Sequence, residues 1–208
     1  MLLKLPISST NGISVSYVDA LFTATTATCV TGLVTLPTVT TWSVFGQAVI
    51  LVLIQVGGLG VITVISAFML LLQKRVGIGE RLLLQDAFNL NSLAGIIQFV
   101  KKVVFGFFLV EGIGALLYMF VFIPEFGLRG IWISVFTSIS AFCNAGFDLF
   151  GYIAPGQSLI VFNDDPIVCM TLLALTLAYN RSVTRAIIRL SKEVQWVEQG
   201  SRDAIMQS

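Results

Sequence analysis

The chain has 208 residues, 56% hydrophobic and 11% charged, with mean hydropathy +0.93 and a net charge of +1. Soluble domains carry about 25% charged residues, so this composition excludes an ordinary soluble enzyme and indicates a membrane protein. The absence of histidine excludes a Ser-His-Asp triad, a Cys-His dyad and His-ligated metal, and the near-zero net charge leaves no basic stripe for nucleic acid.

The first twelve residues, MLLKLPISSTNG, hold one lysine and too short an apolar patch for a secretory signal. Met1 to Leu5 reads as the last turn of a helix. No charge then falls between Asp19 and Lys74. A bilayer core of about 30 Å needs about 20 apolar residues as helix. This run holds one crossing plus something else, because residues 20–41 contain nine threonines. Tyr17–Thr28 is expected as a short helix that enters and stops. The spanning helix is expected at 44–72, with Gly57, Gly58 and Gly60 either allowing a neighbouring helix to approach closely or marking a weak point.

Residues 74–102 mix charge with leucine at helical spacing and read as an amphipathic cytoplasmic or interfacial linker. A second span is expected at 103–123, interrupted only by Glu111, ahead of Pro124. An intramembrane carboxylate invites a functional reading. With no Lys or Arg at its depth, Glu111 is read here as a hydrogen-bonded structural group. Residues 130–147 are uncharged and polar, and a short apolar helix is expected at 166–178. A basic tail, 179–208, follows. Five basic residues in 74–102 and five after residue 180 place both stretches in the cytoplasm. Asp19, Asp148, Asp164 and Asp165 then lie near the outer side, as solvated loop charge or as a field that gathers cations.

The two uncharged polar stretches repeat each other. ALFTATTATCVTGL (20–33) aligns without gaps on SVFTSISAFCNAGF (134–147) at an offset of 114. Phe22, Thr23, Ala27, Cys29 and Gly32 meet Phe136, Thr137, Ala141, Cys143 and Gly146. Thr26 meets Ser140. Two crossings separate the copies, so both share one orientation. Each stretch is too short to span, and irregular backbone at membrane depth survives only in protein or against water. A half-crossing helix turns its partly negative carbonyl end inward, which favours a cation. Gly32 and Gly146 supply the backbone freedom of a carbonyl-lined strand. The plain alternative is a pair of re-entrant hairpins that only pack. Cys29, Cys143 and Cys169 lie in apolar segments without C-x-x-C spacing, against a disulfide framework or metal cluster, and Cys29 and Cys143 read as small buried residues, not redox centres. Neither cofactor nor metal site is expected.

The strings DALFTATTATCVTGL (Asp19–Leu33), QVGGLGV (Gln55–Val61), RLLLQDAFNLNSLAGI (Arg81–Ile96) and FTSISAFCNAGFD (Phe136–Asp148) resemble the KtrB/TrkH family of potassium transporters, the KtrB branch most closely. The resemblance covers about residues 1–173. It implies an all-α membrane protein of the bacterial plasma membrane, multi-pass, built of repeated helix–pore loop–helix units. Four such units surround one potassium-channel-like pore, and about one and a half are expected here. The first would occupy 1–73, with pore helix and filter at 16–33. The second would occupy 103–178, with pore helix and filter at 131–147. The filter residues implied are Thr28, Cys29, Val30, Thr31 and Gly32, with Cys143, Asn144, Ala145 and Gly146. The resemblance further implies K⁺ uptake, often assisted by Na⁺. The partners implied are membrane lipid, a second copy in a homodimer, and nucleotide-binding regulatory subunits of the KtrA/TrkA type. The tail after about Leu173 resembles nothing in the family. A truncated or frameshifted product, or a gene fragment, would account for it and for a non-conducting chain.

Overall fold

A computed structural model describes residues 2–10, 12, 14–60, 93–152, 158–182 and 184. The described residues are helical and contain no β-strand, only an isolated bridge between Ser9 and Trp42. The chain divides into two compact units, Met1–Val61 with Phe107–Tyr179, and Ile62–Gly106 with Asn180–Ser208. In the second unit, residues 93–106 are helical and the Thr184 hydroxyl donates to the Asn180 carbonyl at 2.8 Å.

In the first unit, 3₁₀ turns Leu2–Lys4 and Pro6–Ser8 stand where the end of a helix is expected. Helix α1 is Tyr17–Thr28, as the sequence predicts. A single turn, α2 (Thr38–Thr41), leads into α3 (Val44–Leu59). Ser43 caps α3 by accepting from the Gly46 amide at 3.3 Å, while its hydroxyl donates to the Ile7 carbonyl at 2.6 Å. That bond and the Ser43 amide donating to the Ser8 carbonyl at 2.9 Å tie the N-terminal turns to the start of α3. The sequence leads one to expect a single helix over 44–72, but α3 ends at Leu59, because Gly60 at φ +78 leaves helical geometry and caps it. Residues 61–72 and most of the expected linker lie outside the described residues.

Helix α4 is Leu93–Phe126 and runs straight through the expected boundary at 102/103. Lysine is a good helix former, so Lys101 and Lys102 continue the helix instead of ending a linker. The segment Val104–Phe126 is long and apolar enough to cross a membrane, and no other described helix is. Pro124 lies inside its last turn. There the missing N–H costs one bond and the helix ends two residues later, with Gly127 at φ +60 donating to the Ile123 carbonyl at 2.8 Å. Helix α5 (Arg129–Phe142) follows at once, and its Gly130 lies against the Phe122 carbonyl. Helix α6 covers 166–182.

Two aromatic clusters hold the first unit together. Phe122, Phe126, Phe150 and Phe162 meet with ring centroids 5.1–6.3 Å apart, and Tyr118 stacks on Phe122 at 5.3 Å. Phe107, Phe142 and Tyr179 form the other, joining α4, α5 and α6. Aromatic pairs of this kind add about 0.5–1.5 kcal/mol each beyond area burial. Many side chains on α4 remain exposed, among them Phe105, Phe108, Leu116 and Phe120. In a membrane protein such a face meets lipid, where apolar exposure carries no penalty.

Candidate functional site

The two repeated stretches end in the same hydrogen-bonded turn. After α1, the amides of Cys29, Val30 and Thr31 donate to the carbonyls of Thr25, Ala27 and Thr26, at 2.8, 3.4 and 3.0 Å. After α5, the amides of Cys143, Asn144 and Ala145 donate to Ile139, Ala141 and Ser140, at 2.9, 3.2 and 2.7 Å. Donor and acceptor both shift by 114 in every case. This is the Schellman arrangement, which requires a left-handed residue just past the cap. Val30 at φ 56 and Asn144 at φ 58 fill that place. Asparagine tolerates it, whereas a β-branched valine there is an outlier.

Two residues further on, Gly32 and Gly146 again take positive φ, at 75 and 69. The hydroxyl at 26 and 140 pins each loop beyond its turn. Thr26 Oγ1 accepts from the Leu33 amide at 3.0 Å and also pairs with the Thr31 hydroxyl. Ser140 Oγ donates to the Phe147 carbonyl at 2.6 Å. The repeated positions do equivalent work with opposite polarity.

The loops meet at their glycines. A Cβ on Gly32 would stand 2.7 Å from the Ala145 carbonyl oxygen and 3.3 Å from Gly146 Cα. One on Gly146 would stand 3.3 Å from Gly32 Cα. Only residues without side chains allow the two backbones this near. Helix α3 holds both loops from behind. A Cβ on Gly57 would fall 2.0 Å from the Thr28 carbonyl oxygen, and one on Gly58 would fall 2.4 Å from Cys143 Sγ. The expected close approach at these glycines is thus to the first loop from one and to the second from the other.

All nine sequence-predicted site residues lie in these two loops. Their surroundings differ. Cys143 and Ala145 are buried, while Cys29 and Thr31 are exposed, and Thr28, Val30 and Gly32 are half-buried. The expectation of a buried cysteine holds for Cys143 and fails for Cys29, which is exposed. Cys143 packs on Gly58, and no such neighbour covers Cys29 among the described residues.

Glu111 is buried in α4 and is hydrogen-bonded, as its sequence context suggests. Its partner is Gln55 of α3, whose Nε2 donates to Glu111 Oε2 at 2.5 Å. Gln55 Oε1 accepts from Cys143 Sγ at 3.4 Å, and the Ser138 hydroxyl donates to the Glu111 carbonyl at 2.7 Å. Glu111 therefore reaches the second loop through one side chain. Sequence reading missed Gln55. A lone amide in an apolar helix was the available signal, since a buried polar group requires a partner. Gln47 plays a similar part nearby, donating to the Trp42 carbonyl at 2.9 Å and accepting from Trp132 Nε1 at 2.8 Å.

Chemically, the loops offer backbone. No carboxylate lies within 28–33 or 142–147, and the C-terminal ends of α1 and α5 direct partial negative charge at the loops. Among the described residues no three His, Cys, Asp or Glu side chains converge on a metal site.

Short helices that end in matched loops, glycine against glycine, together with a membrane-length apolar helix, fit an all-α membrane protein. A TrkH family model, described as a cation transport protein, matches residues 3–203, and the chain belongs to that family. The match extends into the tail, as far as residue 203. The chain is 41% identical over 178 residues to the potassium/sodium uptake protein NtpJ of Enterococcus hirae, covering 85% of this chain and 38% of that one. It is 42% identical over 169 residues to Ktr system potassium uptake protein B of Bacillus subtilis, covering 81% and 36%. The protein of that name from Vibrio alginolyticus is 35% identical over 176 residues, covering 84% and 37%. The chain thus spans 36–38% of the length of these relatives. Its family and its long apolar helix place it in the bacterial plasma membrane.

Proposed function

We propose that Thr28–Gly32 and Cys143–Gly146 are two strands of a potassium filter, and that the chain belongs to the pore-forming subunit of a Trk/Ktr-type uptake system. One observation carries this reading: two loops with the same hydrogen bonds at a fixed offset meet at positive-φ glycines. Backbone carbonyls in such strands replace the hydration shell of K⁺, and no covalent chemistry is involved. The names of the relatives, all uptake proteins for potassium or for potassium and sodium, support the choice of ion. The repeated units are best read as about one and a half of four around a pseudo-fourfold axis. A homodimer, Na⁺ assistance and a cytoplasmic nucleotide-binding regulator of the KtrA/TrkA type follow from the same reading.

A second reading is a membrane segment that does not conduct alone and at most associates with full-length subunits. It is favoured because a fourfold ring needs four strands and the described residues supply two. Expression in a strain deficient in K⁺ uptake tests both. The chain alone is expected not to restore growth on low K⁺. Rescue that survives Gly32→Ser together with Gly146→Ser would overturn the filter assignment.

A further inference from the structure

Helix α3 stops at Leu59, so its last carbonyls lack the amide one turn further on. The Gly57 carbonyl accepts from the Gly60 amide at 3.1 Å. The Gly58 carbonyl has a different donor. It accepts from the hydroxyl of Tyr179 at 3.0 Å, from a residue 121 positions away on α6. An unpaired carbonyl inside a membrane protein is costly, so this bond fastens the end of α3 to α6.

The same side chain has a second hold. The Tyr179 ring packs edge-on against Phe142, the last residue of α5, with centroids 5.5 Å apart, and against Phe107 of α4 at 6.2 Å. Phe107 and Phe142 close the triangle at 5.0 Å. Cys143 follows Phe142 directly, and its Sγ is the atom that meets Gly58. Tyr179 thus grips both sides of the Gly58–Cys143 contact, by its hydroxyl on one and by its ring on the other. The first loop has no matching grip. The residue aligned with Phe142 is Thr28, which has no ring, and Cys29 is exposed where Cys143 is buried.

We propose that Tyr179 is a positioning residue for the second loop, holding Cys143 against α3 and so fixing where the strand Cys143–Gly146 begins. Its functional meaning rests on the filter reading, because a carbonyl-lined strand selects an ion only if its start is fixed.

Thiol labelling tests this. The full chain in lipid nanodiscs is treated with N-ethylmaleimide, and the rate at Cys143 is measured by peptide mass spectrometry relative to exposed Cys29 in the same sample. Tyr179→Phe keeps the ring and deletes only the hydroxyl, and is expected to raise that ratio about fivefold. Tyr179→Leu removes both holds and is expected to raise it further. A hydroxyl that served only overall stability would speed Cys143 labelling in step with added urea. Local positioning speeds it without urea, at a rate that low urea leaves unchanged. An unchanged ratio in Tyr179→Phe overturns the proposal, as does an increase that appears only with urea. No ion enters the measurement. Unchanged labelling removes Tyr179 without touching the filter assignment, and a failed filter assignment in the growth assay leaves the labelling result standing.

Discussion

Gly32 and Gly146 lie so close that a methyl group on the former would sit 2.7 Å from the carbonyl oxygen of Ala145. Both residues are also left-handed, at φ 75 and 69. Gly32→Ala therefore meets two penalties, a backbone clash and about 1–2 kcal/mol of left-handed strain. Gly146→Ala meets the same strain with a milder contact at 3.3 Å. The expected order of thermal stability in detergent is parent, then Gly146→Ala, then Gly32→Ala. Equal melting temperatures for all three would contradict the loop geometry.

Gly57 and Gly58 separate by the kind of atom each faces. A methyl on Gly57 strikes backbone, the Thr28 carbonyl, and nothing nearby can yield. One on Gly58 strikes the Cys143 side chain. Removing that sulfur should relieve part of the damage. A double-mutant cycle of Gly58→Ala with Cys143→Ala is expected to show a favourable coupling of about 0.5–3 kcal/mol. The cycle of Gly57→Ala with Cys143→Ala is expected to be additive.

Thr26 Oγ1 holds the Leu33 amide across seven residues. Thr26→Val preserves shape and deletes the acceptor. Hydrogen exchange across residues 29–34 should then speed up, and stability should fall by about 1 kcal/mol. Unchanged exchange at Leu33 would show that the hydroxyl does not order this loop.

Gln55 and Glu111 form a pair whose loss should be strongly non-additive. Gln55→Leu strips the Glu111 carboxylate of its side-chain partner within a buried setting, at a cost of about 1–3 kcal/mol. Adding Glu111→Leu removes the stranded group and is expected to recover most of that loss. Melting of both single variants and the double variant checks this. A double variant less stable than Gln55→Leu would place the importance of Glu111 elsewhere.

Most of the candidate site is legible in the repeat. It located both helices, both loops and both glycines, because spacing in the chain carries over into local hydrogen bonding. Tertiary choices were not legible. Nothing in the string TCVTG marks Val30 as left-handed; the turn imposes it, and local propensity alone opposes it. Gly57 and Gly58 could be read as sites of close approach, but not which loop each would meet. The boundary drawn at Lys102 followed charge, whereas α4 continues through it because lysine does not oppose a helix.

Helix α3 touches the first loop through Gly57 and the second through Gly58, one residue apart on the same turn. That turn works as a gauge block between them. A rotation of α3 that opened room at one loop would close it at the other, and an axial slide would shift both together. The two loops are therefore not independent parts that happen to be neighbours. Their separation is set by a single element, and any partner or ligand that moved α3 would act on both at once.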